Sequence, residues 1–204
     1  MLKLNDSIKE IQSFWKDEPI FSNVGLPNKL ELLEDEKKIQ FPSELREYIS
    51  NIIPHEGTCF ETVGNPICLL SARDISWKMD GYNFNPVTNT PIDDWNDSWF
   101  LIADEGGDPI IIDLSENETT CNVYTAMHGA GEWDFDVISD SIGQFLACAA
   151  AVHTALTAYD IEDPIIDDEN GFNLADEPAK FLFPYIRKTA PSYYSDWVSI
   201  FENS

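Results

Sequence analysis

From residue 79 to residue 179 the chain has no Lys or Arg, yet those 101 residues carry 22 of its 37 Asp and Glu residues. Nearly all of the formal net charge of −25 sits there, because residues 1–78 sum to −4 and residues 180–204 to +1. A segment so one-sided cannot neutralise itself through internal salt bridges. Its surface projects a negative potential that attracts cations or basic proteins and repels nucleic acid. The same segment holds Trp95, Trp99, Phe100, Trp133, Phe135 and Phe145 among long aliphatic runs, which an acid-rich disordered chain would lack. The expectation is a stretch that is folded and acidic at once, with solubility as the plainer reason for the charge.

Length and composition set the scale. With 204 residues, of which 43% are hydrophobic, the chain can build one sizeable core, or one domain with an appendage. No apolar run approaches the roughly 20 residues that a membrane span needs. The start, Met1 to Asp6, lacks the apolar stretch of a secretory signal. A soluble cytoplasmic protein without a membrane partner is expected. Cys59, Cys68, Cys121 and Cys148 are widely spaced in apolar surroundings and none forms a Cys-x-x-Cys pair, so they read as buried free thiols rather than as a zinc or redox site.

Periodicity divides the chain. Leu4, Ile8, Ile11 and Trp15 recur at three- and four-residue spacing, which predicts a helix within residues 1–18 that Pro19 ends. A short loop with Gly25 and Pro27 follows. Pro42 and Ser43 are helix-start residues, and Leu45, Tyr48, Ile49 and Ile52 mark one apolar face behind them. After Pro54 the pattern turns to short runs of β-formers, 59–63, 67–70, 99–103, 109–114 and 121–124, separated by Gly, Pro, Asn and Asp. The last of these read as an antiparallel meander, with residues 104–108 as a turn. A closing helix carries Ile138, Ile142, Phe145, Leu146, Ala149, Val152 and Leu156 on one stripe, with Asp140 or Ser139 as its cap. The fold class expected is α+β, an antiparallel sheet of about five to six strands packed with helices. Residues 1–156 form the domain. Residues 157–204 read as an acidic linker, Asp160 to Glu177, and a helical extension split by Pro191 that docks on the body.

The run Phe41-Pro42-Ser43-Glu44-Leu45-Arg46-Glu47-Tyr48-Ile49, the segment Trp99 to Leu114 around Asp104-Glu105-Gly106-Gly107-Asp108, the pairs Val123-Tyr124 and His128-Gly129, and the helix through Phe145-Leu146 together resemble the SMI1/KNR4 family of the SUKH superfamily, over about residues 25–156. The strand, Gly-Gly-Asp turn and strand is the most specific piece. The resemblance implies a non-catalytic binding protein. Bacterial members of the superfamily are often immunity proteins that neutralise toxin domains, frequently nucleases or deaminases, whereas fungal relatives act as interaction and regulatory proteins.

Each part of that signature also has a structural explanation. Gly106 and Gly107 permit the positive φ values of a tight hairpin, Asp104 and Asp108 can bond turn amides, and the flanking aliphatics are sheet core. The motif marks a fold, not a catalytic site. Binding would then rest on aromatic anchors ringed by carboxylates. Two clusters fit: Asp93, Asp94, Trp95, Asn96 and Asp97 before the third strand run, and Glu132, Trp133, Asp134, Phe135 and Asp136 before the closing helix, with the carboxylates and Trp95 and Trp133 as the candidate contacts. Glu105 and Asp108 at the hairpin tip form a third candidate. A core role is the alternative for Trp95 and Trp133, since Trp is highly buried on average.

Other chemistry is thinly represented. Asp168, Asn170, Gly171 and Glu177 match four positions of a calcium-binding loop, but Ile166 stands at the first, so the segment reads as linker and no metal or cofactor is expected. His55, His128 and His153 are isolated, and no Gly-x-Ser-x-Gly or His-Glu-x-x-His motif accompanies them. No enzymatic activity is expected. Two functions of different class remain: an immunity protein that binds a basic toxin domain, as a monomer or weak homodimer, and a general regulatory module whose acidity serves solubility.

Overall fold

The computed structural model describes residues 3–14, 26, 28–116, 119–169 and 171–204. Trp15, Pro19, Gly25, Pro27 and Asn170 lie outside the described residues. In chain order the elements are α1 (Leu4–Phe14), α2 (Lys29–Lys37), α3 (Ser43–Asn51), β1 (Thr58–Phe60), β2 (Ile67–Leu69), β3 (Phe84–Asn85), β4 (Thr90–Pro91), β5 (Trp99–Glu105), β6 (Asp108–Asp113), β7 (Val123–Thr125), β8 (Asp136–Ser139), α4 (Ile142–Thr157), β9 (Ile165–Asp168), β10 (Gly171–Leu174), α5 (Asp176–Thr189), a 3₁₀ turn (Pro191–Tyr193) and α6 (Tyr194–Val198).

The fold is α+β. Six strands form one antiparallel sheet in the order β1-β2-β5-β6-β7-β8, and β3 pairs with β4 in a small separate hairpin between β2 and β5. The β5–β6 hairpin is its longest pair, running from Trp99 opposite Asp113 to Glu105 opposite Asp108. Gly106 and Gly107 close it with φ of +64° and +103°. Two successive positive φ values match the right-handed twist of the strands, and a side chain at either position would be strained there.

Both faces of the sheet are covered. On the helical side, Phe100, Ile102, Ile110, Ile112 and Val123 pack with Leu45, Tyr48 and Ile49 of α3 and with Phe145 and Leu146 of α4. The other side has its own small core around Leu101 and Ile111. Continuous apolar runs in β5 and β6 follow from this, since strands buried on both faces lose the alternation of half-exposed ones.

Helix α4 is buried over most of its circumference, not on one stripe. The sheet covers one side, α1 crosses near its start and α5 packs along its length. The close crossing explains Gly143, where an added Cβ would lie 2.8 Å from Ser7 Oγ and 2.9 Å from Leu4 Cα. The cap differs from the expectation. Ser141 Oγ accepts from Gln144 N at 3.0 Å, because the chain is still extended in β8 through Ile138 and Ser139. At the same corner Glu44, only 7% exposed, accepts from Cys121 N at 3.1 Å and Gly143 N at 3.2 Å. Burial raises its pKa, against the lowering effect of those amides.

Two further expectations are corrected. Where the acidic segment reads as linker, β9 and β10 form a hairpin, with Gly171 at φ +103° as the first residue of β10. Leu174 N and its carbonyl bond the Asn203 side chain at 3.1 and 2.8 Å, and Phe172 O accepts from Glu202 N at 2.8 Å. Cys59 and Cys68 are not free thiols: they stand opposite each other in β1 and β2, with Cα atoms 4.0 Å apart, and form a disulfide. Their separation in sequence concealed an antiparallel register that makes them neighbours. Cys121 and Cys148 are free and buried, and burial pushes the Cys121 thiol up to about 12.

Candidate functional site

Residues 93–97 lead from β4 into β5, and residues 132–136 lead into β8. The first loop is held by its own side chains: Asn96 Oδ1 accepts from Ser98 N at 2.9 Å, and Trp95 Nε1 donates to Trp99 O at 3.1 Å. This turns Trp95 inward, 8% exposed, while Asp93, Asp94 and Asp97 point to solvent. The second loop alternates. Glu132, Asp134 and Asp136 are exposed, and Trp133 and Phe135 are half-buried.

The two inward-facing sets meet on the outer face of the sheet. Trp95 and Trp133 pack edge to face with ring centroids 5.7 Å apart, although 38 positions separate them in sequence. Trp99 and Phe135 join at 4.6 Å, Trp95 and Trp99 at 5.6 Å, and Tyr82 reaches Trp95 at 5.4 Å. Edge-to-face packing is the favoured arrangement of such rings. Leu70, Met79, Leu101, Ile111 and Tyr124 support the cluster from below. The enclosed Trp133 indole N–H has no acceptor among the described residues. Five exposed carboxylates, Asp93, Asp94, Asp97, Glu132 and Asp134, therefore lie in the loops that carry a single patch of aromatic rings, whereas Asp136 stands opposite Thr125 in β8 and faces the helical side. One of the five, Asp97, lies 3.6 Å from Lys37 Nζ in an exposed pair, of the kind that contributes little to stability.

The hairpin tip is arranged differently. Asp108 Oδ1 accepts from His128 N at 2.7 Å and lies 2.6 Å from His128 Nδ1. Tyr82 donates its hydroxyl to Asp104 and, at 3.2 Å, to Gly107 O. Burial and the hydrogen bond to Asp104 raise the Tyr82 pKa. Glu105 turns to the helical side, beside Ile110 and Val152. The structure thus joins the two loops through Trp95 and Trp133 and leaves Glu105 and Asp136 on the other side of the sheet.

Phe135, inside the second candidate cluster, completes the aromatic patch with Tyr82 and Trp99, which were not among the candidates. A groove beside it adds Asp74, Asp80 and Asp104, with the cation Lys78, around Tyr82, Met79 and Leu101. The available signal was the unbroken apolar run of β5, which implies a second buried face and hence residues to cover it. As for metals, no group of three or more His, Cys, Asp or Glu among the described residues is arranged to hold an ion. His128 has Asp108 as its carboxylate partner and stands beside Gly107. Among the described residues no helix is long and apolar enough to cross a membrane.

The profile of the SMI1 / KNR4 family (SUKH-1) matches residues 26–148, over half of the chain. The chain belongs to this family. No curated protein matches it. The part that is SMI1/KNR4 contains the whole six-stranded sheet and both acidic–aromatic loops, and it ends within α4, before β9, β10 and α5. At the level of the SMI1/KNR4 family the role is that of a non-catalytic, immunity-protein-like binding protein.

Proposed function

We propose that this protein is an immunity protein that neutralises a basic, nuclease-type toxin domain by binding it with the outer face of its sheet. The observation that carries the reading is the convergence of residues 93–97 and 132–136 at the Trp95–Trp133 contact. It gathers exposed carboxylates around half-buried aromatic rings, the composition of an interface with anchors at its centre and charge at its rim. A nuclease active site is a basic groove shaped for phosphates, and a negative face is its electrostatic complement. Membership of the SMI1/KNR4 family supports the same role. No catalytic step by this chain is involved.

Co-expression with the product of the gene immediately upstream tests the reading, scored by host survival and co-purification. Rescue with a stable complex is the expected result. Toxicity without rescue, or no toxic neighbour, would shift the assignment to a regulatory binding module. One observation favours that second reading: Trp95 is buried against its own neighbours, so the aromatic patch also has a purely structural use.

A further inference from the structure

Where the β5–β6 end of the sheet meets the C-terminal segment, a cleft of about 270 Å³ opens. Its apolar walls come from the body through Ile110, Ile138 and Val152 and from the C-terminal segment through Trp197, Ile200 and Phe201. Ile200 is 52% exposed and leaves apolar surface at the rim. Two carboxylates line the cleft, Glu105 from β5 and Asp196 from α6, and no Lys, Arg or His does. Among the described residues neither acid forms an ion pair. Glu105 accepts one long hydrogen bond, from Thr62 Oγ1 at 3.4 Å. Burial, opposed by that bond and reinforced by Asp108 and Asp104, holds its carboxyl above the usual range.

A half-buried carboxylate without a counter-cation, set in apolar walls, is the complement of an aliphatic stem with a cationic head. The volume falls below the roughly 300–1,000 Å³ of sites for drug-sized ligands, which suits one side chain. We propose that this cleft receives a single Lys or Arg side chain of a basic partner protein, its stem against the apolar walls and its head paired with Glu105 and Asp196. The cleft lies on the helical side of the sheet, away from the outer face, so this proposal does not depend on the toxin reading.

The test needs no toxin. Methyl-resolved NMR of the full chain is titrated with N-acetyl-arginine methylamide and its lysine counterpart, with the capped norleucine analogue as neutral control and spermidine as a free polyamine. Saturable shifts at Ile110, Ile138, Val152 and Ile200 with a capped basic residue are expected, and E105Q should weaken binding about tenfold. D196N serves as a second variant, and an unchanged methyl spectrum establishes that each variant is folded. The proposal is overturned if capped arginine and lysine give no saturable shift, if norleucine binds equally, if both variants bind as well as the parent, or if only spermidine binds. Failed rescue with the capped residues still bound would remove the toxin assignment alone. Absence of their binding would remove the cleft, whatever the rescue shows.

Discussion

The two faces of the six-stranded sheet are built from the same strands and finished in opposite ways. The helical face is aliphatic and sealed by α1, α3 and α4, with Phe100, Ile102, Ile110 and Ile112 at most 1% exposed. The outer face is aromatic and sealed by loops, and its cover keeps Trp133 and Phe135 half-exposed beneath a rim of carboxylates. Regular helices cover a face efficiently but offer a partner little that can vary independently of the core. Loops leave apolar rings near water, which costs stability and presents anchors. On this comparison the aliphatic core of the helical face determines whether the chain folds, and the outer face, together with the cleft at Glu105, determines what it meets.

The largest expected effect belongs to the helical face. F100A should lower unfolding stability by about 3–5 kcal/mol, as measured by denaturant titration, through loss of burial and the cavity left behind, with the affinity of the remaining folded protein for its partner unchanged. Next comes W133A, which should weaken the complex by about 2 kcal/mol or more if Trp133 is an anchor, with a smaller stability loss than F100A. Should W133A destabilise the fold as much and leave affinity intact, the outer face would be a second core and the contrast would collapse. Reversal of Asp93, Asp94, Glu132 and Asp134 to Lys should slow association about tenfold at low salt, while each exposed change alters stability by only about 0.5 kcal/mol or less. Stopped-flow rates across a salt series would separate this from a loss of structure.

The smallest effect concerns pH. Glu44 has a folded pKa raised above its ordinary 4.5 by burial, so the folded state takes up its proton more readily than the unfolded chain. Its contribution is complete below 4.5 and is lost as pH rises through the raised value. Between neutral pH and that window the thermal midpoint should climb on acidification, and E44Q should show a shallower climb. Equal slopes would assign the whole trend to relief of repulsion among the surface carboxylates.

What was legible in the sequence was local. Pro42 and Ser43 before an apolar period mark α3, and Gly106-Gly107 between β-formers marks the central hairpin, because each signal lies within the element it specifies. The aromatic and acidic residues of both loops were visible too, as separate clusters. Their meeting was not, since a contact across 38 positions depends on the register of β5 to β8 and on which strand face each loop covers. The Cys59–Cys68 bond failed to show for the same reason. The β9–β10 hairpin was hidden by composition: acids at the turn and exposed strand positions resemble a linker when the pairing is unseen. Glu105 is the subtlest case, because a one-residue step along β5 separates it from Asp104 and places the two on opposite sides of the sheet.

Helix α4 has a consequence for biosynthesis. Its sixteen residues carry no Asp, Glu, Lys or Arg, and the side that contains Cys148, Ala151 and Ala155 is covered by Leu182 and Ile186 of α5. A chain growing from the ribosome completes the matched family region well before residue 189 emerges, so for that interval an uncharged, Ala-rich surface has no lid. The nascent protein therefore passes through a stage in which its most apolar helix is open to chaperones or to a neighbouring chain, and release of α5 ends it.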